Sequence, residues 1–173
     1  DTLYNNPRAW YVQQHFGNSL DRNPEDQDLP FICHANHKLS IEDFKFALSS
    51  HYQGTPYDPY GQSKHRHDFR PIGINRNLDL HILQIRNNVP KDRAAIHWLA
   101  FGPMTFTTVV PFYANSTDTP KAFRDTSRHY DPDYMYWLSN TLGIIGDTDY
   151  QKFMFTAENA DTDLMGKFRH LQE

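Results

Sequence analysis

The sequence predicts an α+β protein, an antiparallel meander with helices before and after it. Three observations carry that reading. Helical patterns with recognisable starts and stops occupy both ends of the chain. Three β-rich runs in the middle are joined by short turn sequences, which suit antiparallel neighbours. Neither a βαβ rhythm nor an internal repeat interrupts this order, so the elements group as they do in α+β folds.

The first helix is placed over Arg8–Phe16, because Asn6-Pro7 makes a good start and Gly17 a stop. A polar stretch, Asn18 to Asp28, follows. Ser40 is the next N-cap, with Asp43 three residues on as a capping-box variant. From there a helix runs to about His51, with Ile41, Phe44, Ala47 and Leu48 on its apolar face. Gln53 to Phe69 is the main irregular segment, with two prolines and two glycines. A connection of that length is either functional or disordered. With few apolar anchors, it is expected to be more mobile than its flanks.

The strands are Leu80–Arg86, Ala95–Phe101 and Phe106–Ala114, with turns at Asn87-Asn88-Val89-Pro90 and Gly102-Pro103. Pro111 makes the last of them an edge or a bulge. Alternation puts His97, Leu99 and Phe101 on one face and Ile96, Trp98 and Ala100 on the other; Leu83 and Ile85 oppose Leu80 and Ile82 in the same way. Both faces are apolar, so two covering layers are needed. Helices of this chain can supply one, but there are too few strands here for a second sheet. Further helices start at Thr119-Pro120 and Asp131-Pro132. Gly146 is expected to stop the segment Tyr134–Ile145, and Asp147 to cap a last helix toward Phe168.

Composition narrows the function classes. The 173 residues suffice for one medium domain, and 25 aromatics (ten Tyr, twelve Phe, three Trp) compensate for a modest aliphatic content. A net charge of −4 without a Lys/Arg run argues against a nucleic-acid partner. No run approaches the roughly 18 apolar residues of a membrane span. Cys33 is the only cysteine, which excludes an intrachain disulfide and fits a reducing, cytoplasmic setting.

Several stretches, taken in order, resemble the dipeptidase A family of cysteine peptidases, within the N-terminal-nucleophile hydrolase superfamily. They are Tyr4-Asn5-Asn6-Pro7-Arg8-Ala9-Trp10, Asp26-Gln27-Asp28-Leu29-Pro30-Phe31 and the long run from Ser49 to Gly61. Arg70-Pro71-Ile72-Gly73-Ile74-Asn75-Arg76, Leu80 to Arg86, His97 to Gly102 and Pro111 to Asn115 complete the set. The resemblance implies an αββα sandwich, of which this chain would be a middle-to-late part. It further implies dipeptide hydrolysis by an N-terminal Cys whose α-amine serves as base, with backbone N–H groups stabilising the oxyanion. No cofactor is implied. Residue 1 here is Asp and Cys33 is internal. The expectation is therefore a single fragment, 1–173, of a longer dipeptidase, inactive alone and without a catalytic residue of its own. The open sheet face would meet the N-terminal region or a second copy.

Four residues are candidates for substrate binding. A dipeptidase must hold a free carboxylate, a task suited to the planar fork of Arg70 or Arg76; each could equally be a surface Arg paired with an acid. Asp58 could meet a substrate ammonium and Tyr57 wall a small pocket, although Tyr-Asp-Pro-Tyr-Gly is turn chemistry in any case. Cys33, His34 and His37, and His65 with His67, lack the ligand pattern of a zinc site. The Asp131/Asp133, Asp147/Asp149 and Asp161/Asp163 pairs lack the Gly and Glu of an EF-hand and read as helix-start residues. The competing reading is a non-catalytic module holding a peptide or sugar on exposed aromatics.

Overall fold

The computed structural model describes residues 1–17 and 22–172. Positions 18–21 of the polar stretch after the first helix lie outside the described residues. The chain forms two compact units, Asp1–Gly73 and Ile74–Glu173. Among the described residues there are five α-helices and one three-stranded antiparallel sheet, so the α+β class holds.

In the first unit, α1 spans Asn5–Phe16. Pro7 falls inside its first turn, where backbone N–H groups have no helical acceptor and a missing one costs nothing. The helix ends at Gly17, as predicted. Helix α2 spans Ile41–Ser49, and its capping box is complete: Asp43 N–H donates to Ser40 Oγ (3.2 Å) and Ser40 N–H to Asp43 Oδ2 (2.7 Å). It stops two residues short of the expected His51.

The face of α2 that packs inward differs from the predicted one. Phe44 and Leu48 are exposed, whereas Phe46 is drawn in. The reason is tertiary. Phe46 stacks on His15 (4.2 Å between centroids) and meets Phe16 edge-on, and this aromatic shelf on α1 decides the rotation of α2. The core of the unit is aromatic throughout, with Tyr11, Tyr52 and Phe69 flanked by Trp10, Phe46 and Tyr57. The segment Gln53–Phe69 thus has two strong apolar anchors, Tyr57 and Phe69, against the expectation of few. Their rings lie 4.7 Å apart.

In the second unit, β1 (Asp79–Ile85) pairs with β2 (Ala95–Phe101), and β2 with β3 (Val110–Tyr113), as a meander. The third strand is shorter than predicted. Met104–Phe106 forms a 3₁₀ turn after Pro103, which delays pairing until Val110. Pro111, with no N–H to donate, sits opposite Trp98 on an edge strand, where the sequence put it.

Within the second unit, only one face of this sheet is covered. Leu80, Ile82, Ile96, Trp98 and Ala100 are buried, and Trp98 Nε1 donates to Gln84 Oε1 at 3.0 Å. On the other face Leu83 and Ile85 are 74% and 78% exposed. The aromatic Phe123 shelters only the Phe101 and Phe112 end.

Helix α3 (Lys121–Arg124) is a single turn after Pro120. Helix α4 spans Met135–Thr148, and Asp131–Tyr134 forms a turn before it rather than its first residues. Gly146 does not stop this helix. It is buried in the last turn of the helix, where a Cβ would lie 2.5 Å from the Phe106 ring; one at Gly143 would lie 2.2 Å from Pro103. With Ser139 they form a small-residue stripe that lets α4 approach the Pro103–Phe106 turn. Helix α5 spans Tyr150–His170, capped by Asp149 and not Asp147: Asp149 Oδ1 accepts from Lys152 N–H at 3.2 Å. Asp161 and Asp163 lie within α5, so they are not helix-start residues.

Candidate functional site

The segment from Ser50 to Gly73, folded back onto α1, holds three of the four candidate residues. Its first half is a chain of side-chain-stabilised turns. Thr55 Oγ1 donates to the Tyr52 carbonyl (2.7 Å) and accepts from Tyr57 N–H (3.1 Å). Asp58 Oδ1 accepts Tyr60 N–H at 2.9 Å, an Asx turn. The same oxygen faces His51 Nδ1 at 2.9 Å, with the two side chains 4% and 16% exposed. An ionised Asp58 can only accept, so the proton of that bond sits on Nδ1. Asp58 thus has a structural task, fixing the Tyr52–Gly61 turns onto a buried histidine.

Tyr57 also faces inward. Its ring meets Trp10 edge-on at 6.0 Å and packs on Phe69. The aromatics that a binding module would offer to a ligand are here spent largely on one another.

Tyr52 is the unusual residue of this region. It is fully buried with φ +66°, the only non-glycine residue at positive φ among the described residues. Such a conformation in a bulky residue costs about 1–3 kcal/mol and persists only where surroundings over-determine it. Here they do: Tyr52 Oη donates to the Arg70 carbonyl at 2.9 Å, and the ring meets Tyr11 at 5.5 Å. Burial pushes the Tyr52 phenol up to about 12, with the Arg8 charge pulling the other way.

Arg70 is therefore anchored by its backbone and free along its side chain. Its carbonyl also accepts Arg8 Nε at 3.3 Å, and its guanidinium lies over the Tyr4 ring, 5.9 Å from the centroid. Gly73 closes the segment. Its N–H donates to the Ser50 carbonyl (2.8 Å), and a Cβ there would stand 2.4 Å from the Ser49 carbonyl oxygen, so no larger residue fits. Arg76 belongs to the second unit, exposed in the turn Ile74–Asn77.

The remaining sequence candidates fall apart as clusters. Cys33 is exposed. His37 Nε2 faces Asp43 Oδ2 at 3.3 Å, and His65 Nδ1 faces Asp68 Oδ2 at 2.7 Å, each an exposed local pair. Among the described residues no group of three or more His, Cys, Asp or Glu could hold a metal ion. No described helix is long and apolar enough to cross a membrane. Sequence reasoning missed the contacts of Arg8 and Tyr4 with Arg70, and His51 as the partner of Asp58. The Arg8–Arg70 contact spans 62 positions and leaves no local signal.

An α+β chain whose sheet leaves one apolar face open, and which carries these Ser49–Gly61 and Arg70–Arg76 segments, fits the N-terminal-nucleophile hydrolases. The comparisons agree. The model of peptidase family C69 matches residues 1–163, and the chain belongs to that family. It is 50% identical to the probable dipeptidase B of Lactococcus lactis, over 99% of this chain and 37% of that protein. It is 51% identical to dipeptidase A of Lactobacillus helveticus, over 88% and 33%. A dipeptidase of Bifidobacterium longum is 40% identical, over 85% and 30%. The chain thus spans about a third of the length of these curated relatives.

Proposed function

We propose that the whole protein hydrolyses dipeptides as a cysteine peptidase in the cytoplasm, and that this chain contributes substrate recognition. The observation that carries the reading is the 50% identity to a probable dipeptidase across nearly the whole of this chain. Arg70 and Arg76 are the candidates for the substrate carboxylate, and Tyr57 and Asp58 for the pocket wall and the ammonium. Of these, Arg70 has the strongest support: its backbone is fixed twice, by Tyr52 and Arg8, while its side chain is exposed on an aromatic ring. An anchored base with a free guanidinium is what bidentate carboxylate recognition asks for. On this reading the open sheet face is covered by other chain, either the rest of the parent protein or a second copy.

Cys33 is not the nucleophile in this reading. It lies in the exposed stretch 31–40, and among the described residues no base is held against its thiol. A catalytic thiolate needs a neighbouring base or cation, which usually sits in a partly enclosed site. The test is hydrolysis of a dipeptide panel by the full-length protein carrying this sequence, followed by chromatography of the products. Cleavage of dipeptides, retained in Cys33→Ser, is expected. Failure on every dipeptide would overturn the function, and loss of activity in Cys33→Ser alone would move the nucleophile to Cys33.

A further inference from the structure

The first unit brings two guanidinium groups to one aromatic ring and gives neither a carboxylate. Arg8 Cζ and Arg70 Cζ each lie 5.9 Å from the centroid of Tyr4. No described Asp or Glu stands within ion-pair distance of either. Two other arginines do stand on acids: Arg22 has Asp26 at 2.9 Å, and Arg124 has both Asp118 and Asp125. Two like charges gathered without a counter-charge repel each other, an unfavourable arrangement that an anion bound between or beside them removes.

The arrangement is also built rigidly. Arg8 projects from α1, and its Nε–H donates to the Arg70 carbonyl. Tyr52 Oη donates to the same oxygen from a backbone held at positive φ, and Gly73 ties the following residues to the end of α2. A strained, fully buried residue spent on fixing the backbone beneath an acid-free arginine pair, Arg70 exposed and Arg8 half-buried, marks this as a place where position matters. Tyr4, itself exposed, offers the aromatic ring against which both cations rest.

We propose that Arg8, Arg70 and Tyr4 form a carboxylate-binding site, with Arg8 as a specificity residue acting beside Arg70 on the free C-terminal carboxylate of a short peptide. The proposal rests on the dipeptidase reading and adds to it a second cation and an aromatic platform. Two guanidinium forks can satisfy both carboxylate oxygens, and a peptide amide, which bears no charge, gains little from them.

The test uses the full-length protein and two substrates, Ala-Ala and its C-terminal amide. The wild type should prefer the free acid. Arg8→Gln and Arg70→Gln should each raise KM for the acid roughly ten-fold or more, the loss of one charge-assisted pair, with kcat little changed. The amide should shift far less, so that the preference shrinks. Arg70→Lys should restore only part of it, because the charge returns without the fork. Equal losses on acid and amide, or an unchanged KM for the acid, would overturn the site while leaving the peptidase intact. If the wild type cleaves neither substrate, the dipeptidase reading fails by itself. The site is then decided by NMR of the same protein during an acetate titration. Shifts of the Arg8 and Arg70 Nε–H signals, abolished in the Gln variants, uphold an anion site, and silent signals overturn it.

Discussion

Asp58 shows how a residue legible in sequence acquires its meaning from a distant contact. Its turn role could be read from Tyr-Asp-Pro-Tyr-Gly alone, since Asp caps its own backbone two residues on. Its partner could not. His51 stands seven residues earlier, just past the end of α2, and only the fold brings its ring to Oδ1. The pair yields a prediction that separates structure from binding. Asp58→Ala removes the acceptor facing a buried imidazole and should destabilise the protein by about 1–3 kcal/mol, read as a lower urea midpoint. A residue that only received a substrate ammonium would leave that midpoint unmoved and raise KM instead. Arg8 is the opposite case. Nothing in its neighbourhood in the sequence singles it out, because its partner is Arg70, and long-range pairs leave no period to detect.

Among the elements, those governed by local rules were readable and those governed by packing were not. The α2 capping box is entirely a matter of residue spacing within one turn, and it is found as expected. The edge position of Pro111 follows from its missing N–H, and it too is found. The rotation of α2 depends on the His15 and Phe16 shelf of another helix, and Gly146 on the ring of Phe106, so both readings failed. The glycines of α4 and α5 make that difference measurable. Gly to Ala in a helix ordinarily gains up to about 1 kcal/mol. In α5, a methyl group at position 166 would meet nothing within 4 Å, so Gly166→Ala should raise stability by that order. In α4, the new methyl of Gly143→Ala would lie 2.2 Å from Pro103, and the overpacking, about 1–3 kcal/mol, should outweigh the gain. Thermal melts of the two variants should therefore move in opposite directions; a Gly143→Ala variant as stable as wild type would mean that α4 does not sit tightly on the Pro103–Phe106 turn.

At the scale of the molecule, the open sheet face is the feature that asks for more chain. The buried face holds Trp98 at 1% exposure, while Leu83 and Ile85 opposite lie mostly in water, and leaving a large aliphatic side chain exposed forgoes about 1.5–3 kcal/mol. His81 and His97 share that face, their rings 5.8 Å apart. Burial, and then the His81 charge, hold His97 below its usual 6.5, with Asp79 opposing. Any layer laid over the face deepens that burial and favours the neutral ring further. Above that lowered value both states are neutral there and covering is unopposed. As the pH falls through it, the uncovered face accepts a proton that the covered one resists, so covering weakens. The isolated chain should consequently self-associate at high concentration near neutral pH and less so toward pH 5. Replacing Leu83 and Ile85 together by Lys should return it to monomer, since charge on this face blocks sheet-on-sheet burial. In the full-length protein, if the rest of the chain covers this face as proposed, the same double substitution should instead lower stability. Sedimentation velocity on the chain and urea unfolding of the full protein decide it. An isolated chain that stays monomeric at neutral pH and high concentration, together with a full-length double variant as stable as wild type, would mean that this face meets only solvent.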